Sequence, residues 1–426
     1  MGEAPDRIEV HPTGPVNWRG TVPGSKSLSA RALLVAALAD GTSRLPGLLR
    51  CDDTEYLAGA LGSLGIEVAF GEHECEVRGK GGVFPRRHGQ LFVGNAGTAM
   101  RFLAAALTVA EGTYTLDGSE RMRARPIGDL TRTLADLGAD VADCGGFPPV
   151  TIGPRRLRGG AGTIPGSRSS QFISGLLMAA PYSLEGLELE VTGDVVSRPY
   201  LDLTLATMQA FGCTVVCREE PLRFSVPRAT YRAGRWPIEP DASSASYFFA
   251  AAAVTGGEVT VEGLGGATRQ GDAAFVDVLA AMGCRVEKSS GATTVRGGPL
   301  RGVRIDAAGF PDVVPTIAAV AIFAAGRTEI CGVPHLRLKE SDRIASVATE
   351  LGKLGAGVRE RDDGLVIEGG RPLHGAVIDT WDDHRIAMAG AVAGLGVSGV
   401  VIAAPHVVAK SFPDFFARFA ELGQGR

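Results

Sequence analysis

One segment recurs six times along the chain, and it limits the possible folds more than any other feature. The copies read LGSLGIEV, LADLGADV, MQAFGCTV, LAAMGCRV, LGKLGAGV and a final FAELG, and they share Gly65, Gly138, Gly212, Gly283, Gly355 and Gly423 at spacings of 68 to 74 residues. Each glycine ends an amphipathic stretch with apolar residues at helical spacing, and in all but the last copy a short Val-containing run follows it. The pattern predicts a helix, a left-handed glycine just past its end, then a strand. A second segment interleaves with the first. It is Ala-rich and starts at Leu28, Ala96, Ser170, Ser243, Val313 and His384, again 68 to 74 residues apart. Its apolar residues run nearly all the way round, which predicts buried helices. Strand-like runs such as TYTLDG at 113–118, LELEVTGD at 187–194 and EVTVEG at 258–263 fill the remainder.

Each repeat therefore holds one buried helix, one amphipathic helix and about four short strands, and six copies use nearly the whole chain. Three small-residue helices can fill one domain centre, so the expected partition is two domains of three repeats. The Gly- and Pro-bearing segment RAGRWPIEPD marks one crossing, and a second near Gly20–Pro23 places the N-terminal strand with the later half. The boundaries read as 21–238 for one domain, and 1–20 with 239–426 for the other. A continuous solenoid is the alternative, but the short period and polar end caps of solenoids are lacking.

Composition narrows the class. Glycine reaches 59 of 426 residues, about twice the usual level of roughly 7%, without a Gly-X-Y period. One glycine set ends the amphipathic helices. Another, including Gly24 and Gly97, lies beside helix starts where backbone is expected to approach an anion. Lys and Arg total 43 against 47 Asp and Glu, a net charge of −4, which argues against nucleic acid as a partner. The seven cysteines include only one close pair, Cys213 and Cys217, a weak metal signal. Free thiols in a reducing cytoplasm are the expectation, with no cofactor and no metal. No apolar signal segment opens the chain. The apolar run Ile386–Pro405 is divided by Gly394, Gly396, Ser398 and Gly399, which predicts helix, turn and strand rather than a membrane span.

The charges sit where an ordinary helix would not place them. Cations are unfavourable near helix N-termini, yet Lys26 and Arg31, Arg101, Arg168, Arg123 and Arg125, Arg198, Lys339 and Arg343, and Lys410 cluster at predicted helix starts. Free N–H groups and added cations together predict bound phosphate or carboxylate between the two domains. Asp312, Glu340 and His384 stand among these cations as candidate acid–base groups, although an N-cap or a local ion pair would explain the two acids equally.

The motifs PGSKS (23–27), GNAGTAMR (94–101), RARPI (123–127), SSQF (169–172), SRPYLD (197–202), PDASSASYF (240–248), LKESDRI (338–344), DDHRIAM (382–388) and KSFPDF (410–415) keep one order over nearly the full length. In them the chain resembles the EPSP synthase family of enolpyruvyl transferases. The resemblance implies an α/β fold, a two-domain inside-out α/β barrel of six βαβαββ repeats, three per domain, closing as a clamp. It implies a cytoplasmic, monomeric enzyme that joins shikimate 3-phosphate to phosphoenolpyruvate (PEP) and releases phosphate, with no membrane partner. By the same resemblance Lys26, Ser27, Arg31, Ser169, Ser170, Gln171, Ser197, Tyr200, Asp312, His335 and Lys339 would hold the phosphoshikimate. Lys26, Asn95, Gly97, Thr98, Arg125, Gln171, Arg343, Arg385 and Lys410 would line the PEP and leaving-phosphate site. Asp312, Glu340, Lys26, Lys339 and His384 are the catalytic candidates.

Three positions depart from the family pattern: Ala30 and His335 where Asn is frequent, and Phe102 where Pro is. The first two replacements along the chain, Ala30 and Phe102, bear on helix packing. Gly97 is kept, which implies room for the inhibitor glyphosate. An enolpyruvyl transferase for a UDP-sugar, a nucleotide or a modified shikimate is the nearest alternative. Against the UDP-sugar branch, Ser27 stands where a Lys-Asn pair would continue, and 117–125 lacks Cys. A non-catalytic phosphosugar-binding scaffold is the alternative from another class.

Overall fold

A computed structural model describes residues 6–424. The chain divides into two compact units, one running Gly24–Glu239 and the other joining the chain up to Pro23 to the chain from Pro240 onward. Each unit has its own continuous hydrophobic core.

In the unit Gly24–Glu239 the Ala-rich segments form helices Lys26–Leu38, Gly97–Ala106 and Ser170–Ala179, and the amphipathic segments form Asp52–Ser63, Gly128–Asp136 and Pro199–Ala210. The three Ala-rich helices are buried along almost their whole length. Three sheets surround them. Strand His88–Phe92 pairs in parallel with Thr113–Asp117, and Gly160–Pro165 with Leu187–Thr192, each pair continuing into antiparallel strands. The first sheet, Asp40–Pro46, Glu74–Lys80 and Glu67–Phe70, is wholly antiparallel as far as its named strands go. Its parallel neighbour arrives from the far end of the unit. Arg44 N donates to Gly234 O (2.8 Å), Trp236 N to Arg44 O (2.9 Å) and Ile238 N to Pro46 O (2.8 Å), with parallel bridges Asp40–Arg232 and Arg44–Arg235. The segment 231–238 thus gives the first repeat the strand that its own sequence lacks.

The other unit repeats the plan. Helices Ala242–Thr255, Val314–Ala321 and His384–Gly394 pack on one another at its centre, and Phe275–Met282, Arg343–Lys353 and Phe415–Ala420 are the amphipathic set. The N-terminal segment serves two sheets: Asn17–Gly20 pairs in parallel with Glu258–Glu262, and Arg7–Val10 pairs antiparallel with Val400–Ala403. Trp18 packs on Phe248 (centroids 4.7 Å apart), which also meets Phe412 and Phe419 of the C-terminal segment. Truncating a buried aromatic of this kind costs about 3–5 kcal/mol, so Trp18 and the segment Phe412–Phe419 are anchored in one core.

The repeat glycines behave as expected. Gly65, Gly138, Gly212, Gly283 and Gly355 have φ between 87° and 117°, the left-handed region that a Cβ disfavours. The sixth, Gly423, instead lies in the 3-10 turn Glu421–Gln424. The apolar run Ile386–Pro405 forms the end of helix His384–Gly394 and strand Val400–Ala403. Among the described residues no helix is long and apolar enough to cross a membrane.

Candidate functional site

Each unit gathers its share of the candidate residues at the starts of its buried helices. In the unit Gly24–Glu239, Ser25 caps helix Lys26–Leu38 by accepting from Leu28 N (3.5 Å). Lys26 Nζ donates to Asp53 Oδ2 (3.0 Å), and both side chains are largely enclosed. Asp53 belongs to the acidic first turn of helix Asp52–Ser63. One turn beyond Lys26, Arg31 is fully buried. Its guanidinium donates to Thr204 Oγ1 (2.8 Å), Ser27 O (3.0 Å), Ser174 Oγ (3.2 Å) and Tyr200 O (2.9 Å), tying three helices together. Burial lowers its pKa to about 10, which leaves it cationic at neutral pH. Its Cζ lies over the Phe102 ring, 5.3 Å from the centroid. Phe102, the residue standing where Pro is frequent, thus shields a buried cation.

Arg125 defines the second cluster. Its Nη1 donates to Asn95 O (3.2 Å) and Asn95 Oδ1 (3.1 Å). A Cβ on Gly97, the first residue of helix Gly97–Ala106, would fall 2.6 Å from Arg125 Nη2. Gly97 is glycine so that this guanidinium can lie against the helix start. Thr98, one residue on, has a buried hydroxyl with no hydrogen-bond partner among the described residues. Gly24 has a different reason. A Cβ there would stand 1.9 Å from Gly47 O, so backbone packing by itself requires that glycine.

The serine motifs complete this unit. Ser169 caps helix Ser170–Ala179 through Gln171 N (3.2 Å), with Ser170 buried. Ser197 is buried with φ of 57°, a conformation costing a non-glycine residue on the order of 1–3 kcal/mol. Tyr200 N donates to Ser197 O (3.1 Å).

In the other unit the centre is Arg343, only 2% exposed. It meets three carboxylates: Nε to Asp383 Oδ2 (2.8 Å), Nη2 to Glu340 Oε2 (2.8 Å) and Nη1 to Asp312 Oδ1 (3.1 Å). Burial alone would favour loss of its proton, but Asp383, Glu340 and Asp312 outweigh it and hold Arg343 above the ordinary arginine value. Asp312, in the 3-10 turn Pro311–Val313, bridges to Arg385 Nη2 (2.6 Å). Arg385 also reaches Tyr247 Oη (3.4 Å). The pairing of Glu340 with Arg343 is therefore a buried contact within a network, not a solvated ion pair. Asp383 caps helix His384–Gly394 and accepts from Arg385 N (3.0 Å) and Ser341 Oγ (3.1 Å). His384 is fully buried, with Nδ1 3.5 Å from Asp383 Oδ1. Trp381 and Asp382, just before that helix, have φ of 55° and 54°.

His335 is buried in the turn Pro334–Leu338. Burial and the Lys339 charge lower its pKa to about 3, so it presents a neutral ring. Lys410 is buried at the end of the turn Pro405–Lys410, which packs against helix His384–Gly394.

The sequence pattern placed Arg125 and Lys410 at helix starts, and the structure moves both. Arg125 lies in the link after a short helix Glu120–Arg123 and before Gly128–Asp136, and Lys410 lies upstream of Phe415–Ala420. Asp53, Asp383, Tyr247 and Thr204 were missed as partners. Asp383 had a visible signal, an acid immediately before a predicted helix; the others meet their partners only through tertiary packing.

Known proteins bear on this geometry. A family model described as EPSP synthase (3-phosphoshikimate 1-carboxyvinyltransferase) matches residues 10–419. A 3-phosphoshikimate 1-carboxyvinyltransferase of Shewanella oneidensis is 44% identical over 423 residues, covering 98% of this chain and 99% of its own length. One from Aliivibrio fischeri is 45% identical over 424 residues with the same coverage. The solved EPSP synthase of Acinetobacter baumannii aligns with TM-score 0.81 at 28% identity over 98% of each chain.

Proposed function

The chain belongs to the EPSP synthase family, and from that premise we propose how its own residues carry the transfer of the enolpyruvyl group of PEP to the 5-hydroxyl of shikimate 3-phosphate. The reaction releases phosphate and serves aromatic amino acid biosynthesis through the shikimate pathway. A neutral alcohol must attack C2 of an enol phosphate, a poor electrophile. Protonation at C3 makes C2 oxocarbenium-like, the hydroxyl oxygen adds there, and the tetrahedral adduct then loses phosphate and a C3 proton. The chemistry needs a proton donor and acceptor at C3, a base at the 5-hydroxyl, and cations on the departing phosphate.

We assign Asp312 to the 5-hydroxyl and Glu340 to proton exchange at C3. The observation that carries this assignment is Arg343. One buried guanidinium holds both carboxylates, at 3.1 Å and 2.8 Å, so their positions are coupled. Lys26, with its charge balanced by Asp53, and Lys339 stabilise developing negative charge. Lys26, Asn95, Gly97, Thr98, Arg125, Gln171, Arg343, Arg385 and Lys410 are assigned to PEP and its leaving phosphate. Ser27, Arg31, Ser169, Ser170, Gln171, Ser197, Tyr200, Asp312, His335 and Lys339 are assigned to phosphoshikimate, with Lys26 touching both. His335, neutral at working pH, contributes a hydrogen bond and no charge. His384 is fully enclosed beside Asp383, so we assign it to positioning that carboxylate. Glyphosate would compete with PEP in the space that Gly97 leaves beside Arg125.

The protein is proposed to act as a cytoplasmic monomer; seven free cysteines fit a reducing compartment. Phosphate release tests the acceptor. It should require shikimate 3-phosphate together with PEP and should not occur with UDP-N-acetylglucosamine; the reverse preference would overturn the assignment.

A further inference from the structure

A carboxylate outside every motif used above lies behind the Asp312–Arg385 pair. Asp272 is buried in the 3-10 turn Gly271–Ala274. It accepts a short hydrogen bond from Ser243 Oγ, near the start of helix Ala242–Thr255. Its neighbour Gln270 pins the same helix start, accepting from Ala242 N (3.1 Å) and donating to Pro240 O (2.7 Å). The turn Gly271–Ala274 packs against the turn Pro311–Val313 that carries Asp312. The ionisable groups acting on Asp272 are Asp312 from that turn, Arg385 from helix His384–Gly394 and Asp241 from the cap of helix Ala242–Thr255. Asp277, on the helix that follows, is exposed and paired with Lys288 (2.7 Å).

We propose that Asp272 is a positioning residue for enolpyruvyl transfer, acting through the guanidinium of Arg385 to set how readily Asp312 accepts the proton of the 5-hydroxyl. The inference rests on the assignment of Asp312 as that base. Two carboxylates share the field of one guanidinium. With Asp272 ionised, its charge competes for the field of Arg385 and repels Asp312, which becomes the stronger base. With Asp272 protonated, that competition and repulsion end and the base weakens. Burial and repulsion from Asp312 raise the pKa of Asp272 to about 7, with Arg385 and the Ser243 hydroxyl opposing, so this change falls in the working range.

The test measures phosphate release with saturating shikimate 3-phosphate and PEP from pH 5.5 to 9 for the wild type, Asp272→Asn and Ser243→Ala. Wild-type kcat should rise through an inflection near pH 7. Asp272→Asn should lose that inflection and fall by up to about tenfold at pH 8, the most that one unit of lost basicity costs, with little change in either KM. Ser243→Ala keeps the carboxylate but removes a donor that favours its ionised form, so the inflection should move to higher pH. Superimposable profiles for wild type and Ser243→Ala, or an unchanged inflection in Asp272→Asn, would overturn the inference even if one variant folds poorly. An Asp312→Asn control separates the two readings: if it retains turnover, the base assignment fails, whatever Asp272 does.

Discussion

Adding one methyl group at Gly97 tests whether Arg125 binds PEP as assigned. The Cβ of Gly97→Ala would stand 2.6 Å from Arg125 Nη2, 3.0 Å from Cζ and 3.1 Å from Nη1. To restore ordinary contact at 3.4 Å the guanidinium must retreat by about 0.8 Å. That motion draws Nη1 away from Asn95 O and Oδ1, now at 3.2 Å and 3.1 Å. The clash falls on the end of a flexible side chain, and Gly97 does not have a positive φ. Alanine also favours a helix over glycine by up to about 1 kcal/mol, so the fold should survive. The cost should fall on the ligand. Losing one hydrogen bond to a charged group, about 1.5–3 kcal/mol, corresponds to roughly 10- to 150-fold in affinity. Steady-state phosphate release with varied PEP at saturating shikimate 3-phosphate should therefore show KM for PEP raised by that factor. KM for shikimate 3-phosphate should barely move, and the melting temperature should hold within a few degrees. A PEP KM within twofold of wild type would refute the assignment of Arg125.

Three further outcomes follow from the same geometry. Asp312→Ala should lower kcat by on the order of 10²–10⁴, as for other acid–base groups, read by the same assay; near-normal turnover would remove Asp312 as the base. Asp53→Asn should lower kcat/KM by about 10- to 100-fold by leaving the buried Lys26 charge uncompensated, and an unchanged value would show that Lys26 does not depend on its partner. His335 has a folded pKa of about 3, below the unfolded value of about 6.5. Between those values the unfolded chain holds the extra proton, so stability falls on acidification, by about 2 kcal/mol from pH 7 to pH 5. His335→Gln should lose that part of the acid destabilisation in chemical denaturation at the two pH values; an unchanged difference would exclude His335 as its source.

What could be read from sequence was whatever local backbone chemistry dictates. The left-handed glycines at five of the six helix ends announce themselves, because few other residues accept that conformation. The six buried helices were visible for a similar reason, since Ala-rich segments without a polar face have no exposed option. Contacts across long separations were not visible. Arg343 meets Asp383 across 40 residues and Asp312 across 31, and nothing in LKESDRI says that one guanidinium will hold three acids. The strand completing the first sheet comes from 231–238, which reads only as a crossing segment. Gly24 carries a reason that its position beside a helix start did not show: the close approach of Gly47 O leaves no room for a Cβ.

Addition followed by elimination is the central claim, and deuterium tests it most directly. Turnover of PEP and shikimate 3-phosphate in D₂O passes through an adduct whose former C3 methylene has become a methyl group with one solvent-derived hydrogen. Mass spectrometry of the product should find deuterium in the enolpyruvyl methylene, with one phosphate released per product molecule. Product formed without deuterium, or phosphate released equally well without the acceptor, would contradict the account.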